Sequence, residues 1–258
     1  MCARGQAGSR MLSVWSGLTA PSKERTLELL EHLEWEELHL RLPSDWNDGL
    51  EALKEGFDLD SVVEEMSDLG VIRLPEDAQV VRSWRPFLEG IWDLAGEREV
   101  HCFRDPFSFS HQRQIALDLA SESIKARLGH LDIAAWKELL REDIHLSISD
   151  SALEAEVLAR SAGDEVACVD LSAETEQILA REGFQVRRVM IDGDELPLSK
   201  LKREMLILES GGEEVPDSLL EQGIMEHLDF LKVLLSANTF DEACLIWCSD
   251  GHRERNGS

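Results

Sequence analysis

The residues best suited to chemistry crowd into EVHCFRDPFSFSHQRQIALDLA, residues 99–120. Here His101, Cys102, Arg104, Asp105, His111 and Arg113 fall within 13 positions. A guanidinium beside an imidazole or a carboxylate can hold an anion and move a proton. A thiol beside an imidazole can attack as a nucleophile. The direction of each side chain decides between them. REVHCF (98–103) reads as a strand, and strand alternation sends His101 and Phe103 to one face, Val100 and Cys102 to the other. His101 and Cys102 therefore cannot form a dyad, and Cys102 reads as core. Arg104 and Asp105 follow the strand's C-terminal end, the edge where open α/β sheets bind ligands.

The helix that starts there has Asp105 or Ser108 as its cap and Pro106 early. It carries Leu117, Ala120, Ile124 and Leu128 at spacings of three and four. One turn before Leu117, Arg113 falls on the same stripe, which places it inward and towards the strand ends. His111 falls off the stripe and is expected at the surface. An arginine at a helix N-terminus opposes the macrodipole. Its partner is either a structural carboxylate such as Asp105 or an anionic ligand. In the second case Arg104 and Arg113 hold the anion, and His101 or Asp105 transfers the proton.

The elements that position these groups alternate. Strands are expected at 12–16, 37–43, 98–103, 165–171 and 184–191, with shorter ones at VIRL (71–74) and EACLIWC (242–248). Leu38, Leu40 and Leu42 give the period of two, and EVACVDL is apolar throughout, as in a strand covered on both faces. Helices are expected after Pro21, over 47–69, at 83–95, from 105 to Gly129, at 132–142 and 150–162, at 173–182, at 198–209 and at 216–236. Trp84, Trp92 and Trp136 fall inside apolar helix patterns. The pattern predicts an α/β fold with a mainly parallel sheet covered by helices on both faces and a helical insert around 105–162. One domain over 11–250 is expected, between a loose tail at 1–10 and a frayed tail at 251–258.

Other motifs are weaker. Cys244-x3-Cys248-x3-His252 could supply metal ligands, but on a strand the two thiols would stand about 13 Å apart, too far to share a zinc. DGDE (192–195) reads as a solvated turn. No phosphate-loop, dinucleotide, nucleophile-elbow or zincin motif occurs. No cofactor or metal is expected.

The chain carries 52 acidic and 26 basic residues, a formal charge of −26, with 19 Arg but 7 Lys. Such a chain repels phosphate backbones and anionic lipid, so nucleic acid is disfavoured as a partner. With no run approaching 18 apolar residues, no membrane span is expected. The basic start MCARGQAGSR lacks a long apolar segment, and the five cysteines are irregularly spaced. Both point to a reduced, cytoplasmic protein.

The order of elements, with Arg113, resembles the TraB/PrgY and ChaN-like group, over roughly residues 12–191. That group combines two Gly-x-x-His turns with a strand-end acid and a Glu-Arg pair, and the resemblance implies a metal-dependent hydrolase or a ligand binder. In this chain SGLT (16–19) keeps Gly17 but has Thr19 for the histidine. Arg41 stands near the acid position, and Gln112 precedes Arg113. After the strand at 165–171 comes Asp170-Leu171-Ser172. With those motifs eroded, the expected function is non-catalytic binding of a protein partner or a small ligand. The alternative is a hydrolase-like enzyme acting on an anionic small molecule at the strand C-terminal edge.

Overall fold

A computed structural model describes residues 9–191 and 195–255. The chain divides into two compact units. The first is Met1–Ser110 with Ile148–Gly193, and the second is His111–Ser147 with Asp194–Ser258.

The first unit holds one parallel sheet. Its strands are β1 (Arg10–Trp15), β2 (Glu37–Pro43), β3 (Glu99–Arg104), β4 (Glu165–Val169) and β5 (Gln185–Met190), in the order β3-β2-β4-β1-β5. Each of the five longer predicted strands forms within two residues of its expected ends. Strand alternation sorts the apolar residues cleanly. Val14, Leu38, Leu40, Leu42, Cys102, Ala167 and Val169 share one core. It is closed by α1 (Ala20–Glu31), α2 (Asn47–Lys54), α3 (Leu59–Asp68) and α4 (Ala78–Ala95). Met11, Phe103, Val166 and Cys168 pack on the other face, against Ala155, Leu158 and Leu179. The chain leaves β3 along α5 (Pro106–Arg127) and returns along α6 (Ile133–Ser161), and α7 (Ala173–Arg181) follows β4. Helices thus cover both faces. Neighbouring β2 and β3 continue on opposite faces, and so do β1 and β4. Such pairs open crevices at their C-terminal ends.

The second unit is helical: the greater parts of α5 and α6, then α8 (Pro197–Ser210), α9 (Asp217–Ser236) and α10 (Phe240–Arg255). Ile115, Leu119, Trp136, Leu140, Met205 and Ile224 form its main core. Among the described residues, no helix is long and apolar enough to cross a membrane.

Four local expectations are corrected. EACLIWC is helical, not a strand: Thr239 Oγ1 accepts the Glu242 N–H at 3.1 Å, and Ala243 and Cys244 are buried while Leu245 is exposed. Cys244 and Cys248 therefore lie one helical turn apart, not along a strand. VIRL wraps the end of α3, with the N–H groups of Val71 and Ile72 both donating to the Met66 carbonyl at 2.9 and 3.2 Å. The expected helices at 132–142 and 150–162 are one helix, because no glycine or proline interrupts 133–161 and Asp150 turns to an arginine instead of capping.

The fourth correction concerns α5, which buries the line through Ile115, Leu119 and Ser123 and leaves Leu117, Ile124 and Leu128 exposed at 45%, 62% and 73%. Both faces carry apolar residues, so periodicity alone selects the wrong one. The turn at Asp192-Gly193-Asp194 lies outside the described residues.

Candidate functional site

The pairing of β2 with β3 sets Glu37 beside Glu99 and His39 beside His101. Both strands carry Glu-x-His, so in parallel register the two imidazoles stand side by side with ring centroids 5.5 Å apart. Together with Asp105 and, from α6, Leu153, Glu154 and Val157, they line a cavity of about 390 Å3. That volume lies within the roughly 300–1,000 Å3 typical of small-molecule sites. Asn47 fixes one wall: its Oδ1 accepts the Cys102 N–H at 2.7 Å, and its Nδ2 donates to the carbonyls of Cys102 and Ser44 at 3.0 and 2.8 Å.

His39 is buried, and burial pushes its imidazole below the ordinary histidine range, so the ring is neutral. Its Nε2 faces the Glu37 carboxylate at 3.4 Å. The proton therefore sits on Nε2 and Nδ1 is an acceptor. That Nδ1 has no hydrogen-bond partner, an uncommon state for a buried polar atom.

Among the sequence-predicted site residues, the structure brings His101 and Asp105 together in the cavity lining. His101 is partly exposed and meets Glu99 at 3.1 Å. Asp105 caps α5: its Oδ2 accepts the Ser108 N–H at 2.8 Å. Arg104 is buried in an ion pair with Asp150 at 3.3 Å and stands over the Phe109 ring at 5.2 Å. Arg113 is half-buried on α5 and belongs to the second unit. The inward stripe used to place it is the exposed face of that helix. Cys102 is core, with its thiol pushed well up by burial. His111 is at the surface, paired with Glu142 at 2.9 Å.

A second polar cluster, not anticipated from the sequence, joins the ends of β1 and β4. Ser16 N–H and Oγ each donate to Asp170 Oδ1 at 2.8 Å. The Lys23 ammonium meets Ser16 Oγ and Asp170 Oδ2, and it stands 3.8 Å from the Trp84 ring centroid. Burial pushes the Lys23 ammonium down and the Asp170 charge pulls it back up. Two oxygens and an indole face occupy its three N–H directions, so the cluster is internally saturated. Asp170 sits at φ 67°, which an aspartate tolerates better than most residues. The cluster reads as a strut.

The positions behind the family resemblance are occupied locally. Thr19 Oγ1 lies 2.6 Å from Ser22 Oγ, and Arg41 donates to Glu154 at 2.8 Å. Among the described residues, no group of three or more His, Cys, Asp or Glu side chains is arranged to hold a metal ion. Compared with known proteins, the chain matches no family model, no curated protein and no solved structure.

Proposed function

We propose that this chain is a binding protein, not a catalyst, and that a small molecule seats in the cavity over His39 and His101. The observation that carries this reading is the cavity itself, of ligand size and lined by His39, His101 and Asp105 together with the apolar Leu153 and Val157. Several facts support binding over catalysis. The Cys102 thiol packs in the core on the other face of the sheet and is held protonated by burial, and Arg104 is committed to Asp150. The Lys23 ammonium has no N–H left for a substrate.

The test is a thermal-shift screen of small molecules on the intact chain and on Leu153→Trp. Leu153 is 45% exposed on the cavity wall, so the indole fills the cavity without entering a core. A ligand at about 100 times its dissociation constant stabilises by about 2.7 kcal/mol, which raises the melting temperature by a few degrees. The expected result is a shift in the wild type that Leu153→Trp abolishes. A shift that survives the indole would place the ligand elsewhere.

A further inference from the structure

We infer that the ligand of this cavity is a small cation, an amine with a short apolar body; this rests on the binding reading above. The argument comes from which lining atoms are still unused. Asp105 commits Oδ2 to the Ser108 N–H, and no described residue donates to its Oδ1. His39 contributes the side of a neutral ring, since its Nδ1 is closed off from solvent. His101 turns Nε2 to Glu99, which leaves its Nδ1 as the other ring position. Glu154 spends both oxygens, on Arg41 and on Thr175, and Asn47 is used in full on the backbone.

What remains is the second oxygen of the Asp105 carboxylate beside the His101 ring, and a ligand that engages that carboxylate must bring donors. An ammonium group brings two or three together with the opposite charge, and charge-assisted hydrogen bonds are about twice as strong as neutral ones. Leu153, Val157 and Phe103 line the rest of the space and suit a hydrocarbon body. The chain's charge of −26 adds long-range attraction for cations and repulsion for anions. An anion would meet Asp105 with no lining arginine or lysine to offset it.

The probes are phenethylamine and 1,4-diaminobutane, against glucose, citrate and inorganic phosphate, read by thermal shift and calorimetry. The proteins are the wild type, Leu153→Trp and Asp105→Asn. Asparagine caps helices as well as aspartate does, so Asp105→Asn removes the charge and keeps the start of α5. The amines are expected to bind the wild type, to lose binding in Leu153→Trp, and to bind roughly tenfold more weakly in Asp105→Asn. Binding of glucose, citrate or phosphate that Leu153→Trp abolishes would keep the cavity as the site and overturn the cation. So would amine affinity unchanged by Asp105→Asn. Silence from every probe, or shifts that survive Leu153→Trp, would overturn both the cation and the reading of the cavity.

Discussion

Asp170→Asn is expected to destabilise the first unit by about 3–5 kcal/mol, the usual cost of leaving one charge of a buried pair without its partner. Asparagine tolerates the left-handed backbone that Asp170 adopts at φ 67° and can still accept from Ser16, so the substitution isolates the charge. What it strands is the Lys23 ammonium, whose side chain is 2% exposed against 16% for Asp170. Lys23→Met is therefore expected to cost less, because the aspartate it leaves behind reaches water and keeps both Ser16 donors. The double variant should recover much of the loss, giving a coupling energy of a few kcal/mol in a double-mutant cycle.

Alkaline pH adds a signature. In Asp170→Asn the lysine loses the carboxylate that held its pKa up, so its folded value drops further below the unfolded one. The folded state then releases its proton first, and stability rises with pH up to the lysine range near 10.5. The deficit should narrow as pH climbs. Urea unfolding followed by circular dichroism measures all of this. Additive single variants, with Asp170→Asn within 1 kcal/mol of wild type, would show that the cluster is not a strut.

The same cluster shows what sequence reasoning reaches and what it does not. Strand positions follow from local alternation, and β2 and β4 are unmistakable in ELHLRLP and EVACV. Ser16, Lys23 and Asp170 meet only because β4 lies beside β1, a choice of strand order that no local pattern encodes. His39 is a nearer miss. Glu37-Leu38-His39 and Glu99-Val100-His101 repeat one Glu-x-His pattern on two predicted strands, and each imidazole falls on the face opposite Leu38, Leu40, Val100 and Cys102. Two such strands paired in parallel register bring the rings together, and the repeat was the available signal. The choice of Leu117, Ile124 and Leu128 as the buried stripe of α5 fails for a different reason. Helix α5 has two apolar stripes, and only the positions of its neighbours determine which is buried. EACLIWC fails because a short apolar run suits a strand or a buried helix equally; Asp241, Glu242 and the Thr239 cap were the cues for a helix.

In the second unit, Trp136→Ala is expected to cost about 3–5 kcal/mol, because the indole is fully buried against Leu140 and its neighbours and its removal leaves a large void. Trp136→Phe should cost far less. It keeps most of the aromatic volume and discards an Nε1–H that has no acceptor. The indole also shields His227, whose ring meets it edge-on at a centroid distance of 6.0 Å. Burial lowers the His227 pKa to about 4, so its folded value lies below the unfolded value of 6.5. The unfolded chain therefore binds the proton first, and this contribution to stability is lost as pH falls from about 6.5 towards 4. The loss is at most about 3 kcal/mol. Opening the space beside the ring in Trp136→Ala lets water reach His227 and returns its pKa towards 6.5. The alanine variant should therefore be much less stable at pH 7 and yet lose less on acidification than the wild type, while Trp136→Phe keeps the wild-type slope. Urea midpoints at pH 7, 5.5 and 4.5, with an NMR titration of the His227 ring, separate these outcomes. A wild-type His227 that titrates near 6.5 would remove the indole's shielding role and leave only the packing cost.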